Sequence, residues 1–451
     1  MRAPDASDGI SGGVSDAIAE ETRPPSRRYV DYILFLLFLV SVFNVCDRTI
    51  VSVLVEDIKR DLALDDRQMG VVLGLSFSLT YLFAGIPVAY FADRYSRRWT
   101  VSIALLVWSG MTALSGLAQG FGQIVAARMG VGVGEAGGSP ASQSLVIDYV
   151  EPNRRARAMA YVSIGSIVGL GLGVLYGGWA SEWLGWRWTL VSIGVPGIAV
   201  AILFAATVRE PPRRPADTPG PDAFTGQSLF RTLLALSRMP AFVALTLGAT
   251  FANVVSMGRN MWEPTFLRRV YEIGAAEAGL VYLVITAVPG ILGTFACGAL
   301  TDRLAARDRR WYGWFPALTC FLMVPLSLGF YFAPIDARIA GVPVGFVFAF
   351  AASTIAPGWS PSVMATAQGI VPPSARAVTA ATWAMVSSFV GMGIAPSLVG
   401  DLNVRLEGVY GDEAVRYSLA IVGVVPWLAT ACFLVLARRL GPGSASAAKA
   451  S

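Results

Sequence analysis

Long apolar runs alternate with short polar breaks along almost the whole chain. Read end to end, they predict twelve helices, at roughly 30–57, 67–92, 99–118, 121–149, 157–182, 187–208, 237–266, 276–301, 311–333, 342–370, 377–402 and 415–437. Each run is near the ~20 residues that carry an α-helix across ~30 Å of hydrocarbon. One polar break is far longer than the rest: "REPPRRPADTPGPDAFTGQSLFR", Arg209 to Arg231, rich in proline and charge. The expected organisation is therefore a disordered tail at 1–28, six helices within 29–208, a linker at 209–236, six helices within 237–438 and a second tail at 439–451.

The two halves echo each other. The break after the second run reads "AYFADRYSRR", and the break after the eighth reads "GALTDRLAAR". Both put Asp-Arg at a helix end, followed by arginine. The fourth run closes "SPASQSLVIDYVEPNRRARA" and the tenth "SPSVMATAQGIVPPSARA"; aligning Pro140 on Pro361 brings Pro152 onto Pro373 and Arg155 onto Arg376. Matched landmarks in two six-helix halves point to an internal duplication. The fold class expected is an all-α membrane protein of two pseudo-symmetric halves, with substrate bound between them near the midplane.

Charge placement sets the orientation. With both termini in the cytoplasm, the inside breaks hold Arg94, Arg97 and Arg98, then Arg154, Arg155 and Arg157, then Arg303, Arg307, Arg309 and Arg310, together with the basic linker. The outside breaks hold few, such as Lys59, Arg60, Arg187 and Arg338. Positive charge collects on the cytoplasmic side, so cytoplasmic termini are expected. The net charge of +5 thus reflects topology and implies no nucleic-acid partner.

Composition narrows the chemistry. The chain is 55% hydrophobic and 14% charged, against ~25% charged in soluble domains. It has no histidine, which removes the usual metal ligand and near-neutral proton switch. The four cysteines, Cys46, Cys297, Cys320 and Cys432, sit in apolar runs and read as small buried hydrophobes. No metal site, cofactor or nucleophile–base spacing is present, so neither an enzyme nor a sensor is expected. Any transported proton must ride on a carboxylate.

Two helices carry polar stripes that lipid would not tolerate. In the first, Ser41, Asn44, Arg48 and Ser52 recur at helical spacing, with Asp47 beside them. In the fourth, Arg128, Gly132, Glu135, Ser139 and Ser142 do the same. At ~1.5 Å per residue from the outer ends, Asp47 and Arg48 lie roughly 15 Å deep, Arg128 roughly 10 Å and Glu135 roughly 20 Å. If the two helices adjoin, Asp47 can meet Arg128 and Arg48 can meet Glu135. A purely structural ion network is the plain alternative to a functional cluster. A carboxylate held among arginines in a cavity that opens and closes can take a proton in one state and release it in the other. Asp47 and Glu135 are the expected proton carriers. Arg48 and Arg128, with Asn44, are expected to hold an anionic headgroup, since the guanidinium fork suits phosphate.

Charge in the second half is confined to the seventh run, "MGRNMWEPTF", where Arg259 and Glu263 are four apart and can pair. Pro264 is expected to bend or break that helix near its outer end. With Arg259 and Glu263 it suggests an outer gate. The other second-half candidates are Ser353, Thr354, Trp359, Thr366, Trp383 and Ser387, amid apolar residues. Trp359, Trp383 and Trp262 are expected to line a tail cavity. One charged wall facing one apolar wall suits an amphiphile with an anionic head and an acyl tail. In the fifth run, Gly165, Gly169, Gly173 and Gly177 fall four apart, a pattern for close helix packing.

Twelve runs in two halves, with a G-x-x-x-D-R-x-x-R-R-like loop after the second, resemble the major facilitator superfamily. The loop, Ala89 to Arg98, departs from the family pattern at Ala89 and Ser96, where glycine is usual. The resemblance implies that Asp93, Arg94, Arg97 and Arg98, with their counterparts Asp302 and Arg303, form a cytoplasmic gate, Asp93 meeting a helix N-terminus of the other half. Within the superfamily, "NVCDRTIVSVL" and "RMGVGVGEAGGSPA" look like the Spinster branch, which moves lysophospholipids and sphingosine-1-phosphate-like lipids. That implies a proton-coupled lipid transporter working by alternating access, a monomer in a bacterial inner membrane, with no cofactor beyond the coupling protons. A same-fold carrier of hydrophilic organic anions or drugs, and an uncoupled facilitator, stand as the alternatives.

Overall fold

A computed structural model of the chain describes residues 26–94, 96–211, 226–371 and 376–441. Most of both expected tails and residues 212–225 of the expected linker fall outside it. Apart from one short antiparallel hairpin, β1 (Arg338–Ile339) with β2 (Val342–Pro343), the described residues fold as helices and their connections. The first half runs α1 (Arg27–Val53), α2 (Val55–Leu62), α3 (Asp66–Gly70), α4 (Ser76–Arg94), α5 (Arg97–Ser115), α6 (Phe121–Tyr149) and α7 (Arg155–Thr207). The second runs α8 (Gly226–Ser237), α9 (Pro240–Val270), α10 (Ala275–Tyr282), α11 (Val288–Ala305), α12 (Trp311–Phe332), α13 (Val344–Ile355), α14 (Trp359–Gly369), α15 (Arg376–Ser388), α16 (Ala395–Tyr410), α17 (Ala414–Gly423) and α18 (Pro426–Leu440).

Among the described residues, seven helical stretches have the length and composition to cross a membrane. Two of them, Arg155–Thr207 with 53 residues and Thr382–Leu440 with 59, are too long for one crossing. The first turns at Gly185, whose φ of 73° and ψ of 161° glycine adopts freely. This is the break expected between the fifth and sixth runs.

Three expectations differ in detail. The linker is partly helical, since α8 occupies Gly226–Ser237. The eleventh run extends past residue 402 to Tyr410. Pro264 does not end its helix: α9 continues to Val270. Its neighbours are all buried, and that packing holds the turn whose hydrogen bond proline removes.

The glycine stripe of α7 is a packing seam. A Cβ at Gly165 would meet the Phe38 carbonyl, at Gly169 the Val42 carbonyl, at Gly173 Thr49 and Cys46, and at Gly177 Ile50. Four glycines one turn apart therefore let the α7 backbone lie directly on α1, fixing the helix that carries Asp47 and Arg48.

We call the end where α1 begins and α7 and α18 finish the terminal end, and its opposite the far end. At the far end the halves share one apolar cluster, joining Ile50, Leu54 and Met69 to Trp262, Phe266 and Val399. Towards the terminal end each half has its own cluster, around Leu36, Trp108 and Leu145 in the first and around Leu245, Cys320 and Phe433 in the second. Two seams close the sides. A π-helical turn, Val71–Leu75, links α3 to α4, and another, Phe389–Ile394, links α15 to α16; Gly74 lies on Gly393, and Gly70 on Pro396 and Ser397. Across the molecule Gly178 lies on Ala275, and Gly279 on Val174. The halves thus meet at the far end and part towards the terminal end.

Gly169→Leu should drive α7 off α1 and lower the detergent thermal-unfolding midpoint by about 1–3 °C, from an overpacking cost of ~1–3 kcal/mol. Gly110→Leu, at a position with open space around it, should leave the midpoint near wild type.

Candidate functional site

The four charged side chains of the first half come together. Trp108 of α5 packs on Gly134 and Gly138 of α6, and Gly132 lies against Phe77 and Thr80 of α4. These close approaches set the rotation of α6 and turn Glu135 towards α1. Arg48 forms an ion pair with Glu135, as expected. The Arg48 guanidinium lies 4.8 Å from the Phe77 ring centre and 5.8 Å from that of Tyr81, a cation–π clamp that holds its plane. Glu135 is fully buried, whereas the Arg48 side chain keeps 22% exposure.

Asp47 and Arg128 depart from expectation. Arg128 reaches Asp47 through the backbone: Nη1 donates to the Asp47 carbonyl oxygen at 3.4 Å. Neither carboxylate oxygen of Asp47 completes a hydrogen bond, although the side chain is fully buried. Thr112 of α5 stands beside it, its own hydroxyl also without a partner. On consecutive helical positions, ~100° apart, Asp47 points into the bundle and Arg48 towards the space between the halves. An acid with no partner in such a place is costly when charged.

At the apex of the space between the halves a narrow cavity of about 10 Å³, room for about one water, is lined by Arg48, Arg128, Leu73 and Phe77 from the first half and by Met257, Met261 and Met392 from the second. Two guanidinium groups therefore face three thioethers. Asn44, assigned to the same headgroup site, lies instead on the terminal-end side, against Glu135 and a separate polar cavity.

The second half is more polar than its sequence suggested. Arg259 Nη2 donates to Glu263 at 3.1 Å and to Ser353 at 3.2 Å, and Thr286 donates to Glu263 at 3.2 Å. The adjoining cavity, about 210 Å³, is lined by Asn253, Ser256, Asn260, Ser353, Trp359 and Ser360 among others. Of the three tryptophans expected around a tail, Trp359 alone is on that wall. Trp262 is fully buried and donates to the Pro396 carbonyl at 2.9 Å. Trp383 packs into the apolar clusters at the terminal end.

Arg259 and Glu263, expected at an outer gate, bond each other, Ser353 and Thr286, all in the second half. The charged lock between the halves lies farther along α9, at its end. Arg268 binds Asp57 through both nitrogens, at 2.9 and 3.1 Å, and the Val53 carbonyl at 3.1 Å. Arg269 binds Asp66 at 2.6 and 2.8 Å and Glu56 at 2.9 Å. Asn403 adds a hydrogen bond to Asp66 at 2.9 Å, and Arg67 pairs with Asp401 at 2.8 Å. The signal was present as acid-rich "VEDIKRDLALDDR" and basic "LRRV" at the same membrane face. Sequence reading weighed charges inside the spans and passed over those at their ends.

At the terminal end, Arg97 pairs with Asp148 of α6, Arg98 donates to the Ala205 carbonyl, and the backbone N–H groups of both donate to Glu210. These contacts stay within the first half. Asp302 and Arg303 are exposed at the end of α11. The side chains of Asp93 and Arg94 lie outside the described residues.

The comparisons with known proteins agree with this architecture. The Major Facilitator Superfamily model matches residues 37–396. The chain is 31% identical over 405 residues to an MFS-type efflux pump of Mycolicibacterium smegmatis, covering 90% of this chain and 92% of that one. It is 27% identical over 283 residues to the sphingosine-1-phosphate transporter of Danio rerio, covering 60% and 56%. Among solved structures it is similar to a bacterial homologue of the human lysosomal transporter Spinster, inward-facing and unoccupied, at TM-score 0.82 and 27% identity over 92% of this chain and 98% of that one.

Arg269→Ala removes a buried cation from two acidic partners, Glu56 and Asp66, which should cost the closed far end ~3 kcal/mol or more. Spin labels on Gln119 and Asp336, both exposed at the far end, should then show a longer-distance population by double electron–electron resonance. An unchanged distribution would rule out the lock.

Proposed function

The chain belongs to the Major Facilitator Superfamily, and on that premise we propose that it is a proton-coupled secondary transporter of an amphiphilic anionic lipid, lysophospholipid or sphingosine-1-phosphate-like. The observation that carries the reading is the set of side chains at the apex, where Arg48 and Arg128 face Met257, Met261 and Met392 across a space that must widen to admit a headgroup. Two guanidinium groups supply charge-assisted hydrogen bonds to a phosphate. Three unbranched thioethers supply an adaptable apolar wall for a chain of variable length. The likeness to a sphingosine-1-phosphate transporter supports the same substrate class.

The architecture proposed is twelve crossings in two six-helix halves, working as a monomer in a bacterial inner membrane. Positive charge concentrated at the terminal end supports cytoplasmic termini. The inward-facing Spinster homologue supports the same sense for the open end seen here. Transport then alternates between this state and one in which the far-end lock parts and the loops at Asp93, Arg94, Arg97, Arg98, Asp302 and Arg303 close the terminal end.

Coupling works through partner exchange. An anionic headgroup arriving at Arg48 competes with Glu135 for the guanidinium. Glu135, deprived of its cation in a buried site, takes up a proton; loss of the headgroup restores the pair. Asp47 has no partner to lose, and it holds or releases its proton as Arg128 approaches or withdraws.

A second reading, export of hydrophilic organic anions or drugs, is favoured by the polar wall around Arg259, Asn253 and Asn260 and by the likeness to an efflux pump. Uptake into proteoliposomes separates the two. With labelled lysophosphatidic acid and labelled organic anions side by side, the lipid should move and respond to an imposed pH gradient; movement of the hydrophilic anions alone would favour the second reading.

Asp47→Asn should abolish the response to the gradient yet leave lysolipid exchange at equal pH. Full gradient-driven flux in that variant would refute the proton role of Asp47. Arg48→Gln should weaken lysolipid binding by about tenfold or more, the loss of one charge-assisted contact.

A further inference from the structure

A polar cavity of about 140 Å³ lies beside the Arg48–Glu135 pair, on its terminal-end side. Three helices line it in matched pairs: Ser41 and Asn44 of α1, Ser142 and Gln143 of α6, Ser163 and Ser166 of α7. Each pair is one position or one turn apart, so each helix turns a polar face into the same space. The Ser142 hydroxyl is buried without a partner, as is Glu135 Oε1. Asn44 belongs to both places: it lines the cavity and lies against the Glu135 carboxylate.

Depth gives the cavity a direction. From the terminal-end start of α7 at Arg155, the lining residue Met159 is ~6 Å in. From the terminal end of α6 at Tyr149, Gln143 is ~9 Å in and Glu135 ~21 Å in. The space therefore runs from near the terminal-end surface towards Glu135. The opposite approach is obstructed, because Arg48, held over Phe77 and Tyr81, stands between Glu135 and the apex cavity.

We propose that this cavity is the proton entrance of the transporter: a hydrated vestibule between α1, α6 and α7 through which Glu135 exchanges its proton with the terminal-end solution. The inference rests on the proton-coupled reading above. A polar space of this size holds several waters of ~30 Å³ each, and its hydroxyls and amides offer them the partners they need. The groups around Glu135 suit this role. Arg48 and Asp47 face it from α1, and Arg128 from its own helix; Tyr81 of α4 faces Arg48. From α5 and α7 the cavity receives Trp108, Ser163 and Ser166, all uncharged. A proton arriving from water adds to the Glu135 carboxylate and frees Arg48 for the anionic headgroup. The proton then reaches the ion pair from the terminal-end side of Glu135, and the headgroup reaches it at Arg48.

The test compares filling the vestibule with merely stripping its hydroxyls. Ser142→Val with Ser166→Val crowds and dries the space; Ser142→Ala with Ser166→Ala leaves room for water. In proteoliposomes, uptake of labelled lysophosphatidic acid is driven by a pH gradient, and exchange of labelled for unlabelled lipid is followed at equal pH. The valine pair should lower driven uptake about tenfold and hold exchange within about twofold, and the alanine pair should keep both. Retained driven uptake in the valine pair overturns the vestibule. Equal loss of uptake and exchange overturns it as well, because the space would then serve the lipid or the fold. A wild type that exchanges lipid but ignores the gradient is a separate result, refuting the coupling itself.

Discussion

The ion pair between Arg48 and Glu135 is the interaction around which the first half is arranged. Neither charge can stay in a dry interior alone, and removing one partner leaves the other uncompensated at a cost of ~3–5 kcal/mol. Meeting that requirement puts demands on five helices. The α7 glycines seat α1, Trp108 of α5 seats on α6 glycines, and Phe77 and Tyr81 of α4 hold the guanidinium. The small residues of these helices serve the geometry of a single charged contact.

Under the proposed coupling, the same contact lets the site switch. An Arg–Glu pair that borders a cavity has a natural competitor in any anion that enters it, because the guanidinium fork accepts phosphate as readily as carboxylate. Arg48 keeps some exposure while Glu135 has none, so the competitor meets the cation first. Asp47, one residue earlier and about a quarter-turn round the helix, is withdrawn from that exchange and is answered by Arg128 only through its own carbonyl. Two neighbouring charges thus have different fates because a helix turns ~100° per residue.

The far-end lock works on another scale. Arg268 and Arg269 gather Asp57, Glu56 and Asp66 across the two halves, beside a shared apolar cluster. Ion pairs near an aqueous surface can be replaced by water when they part, which suits the alternating access proposed above. The glycine seams on either side have no such replacement, and under that proposal they are the surfaces on which the halves would rock.

Much of this was legible in the sequence. Composition and run length determined a helical membrane protein, because in lipid the backbone must satisfy its own hydrogen bonds. The duplicated Asp-Arg loops and Pro landmarks pointed to two related halves. Spacing alone placed Asn44 and Arg48 on one face of α1 and Arg128 and Glu135 on one face of α6, and predicted the Arg48–Glu135 contact. Periodicity gives the direction of a side chain but not what stands opposite it. For that reason Trp262, read as a cavity residue, proved a packing residue, and Arg259 and Glu263, expected at an outer gate, bond each other within the second half. Asp47 lost its expected ion pair to a backbone carbonyl. The lock at the far end joins residues some two hundred positions apart in the chain. Only the packing of one half on the other brings them together, because long-range pairing depends on how whole helices rotate and tilt, and no local pattern encodes that.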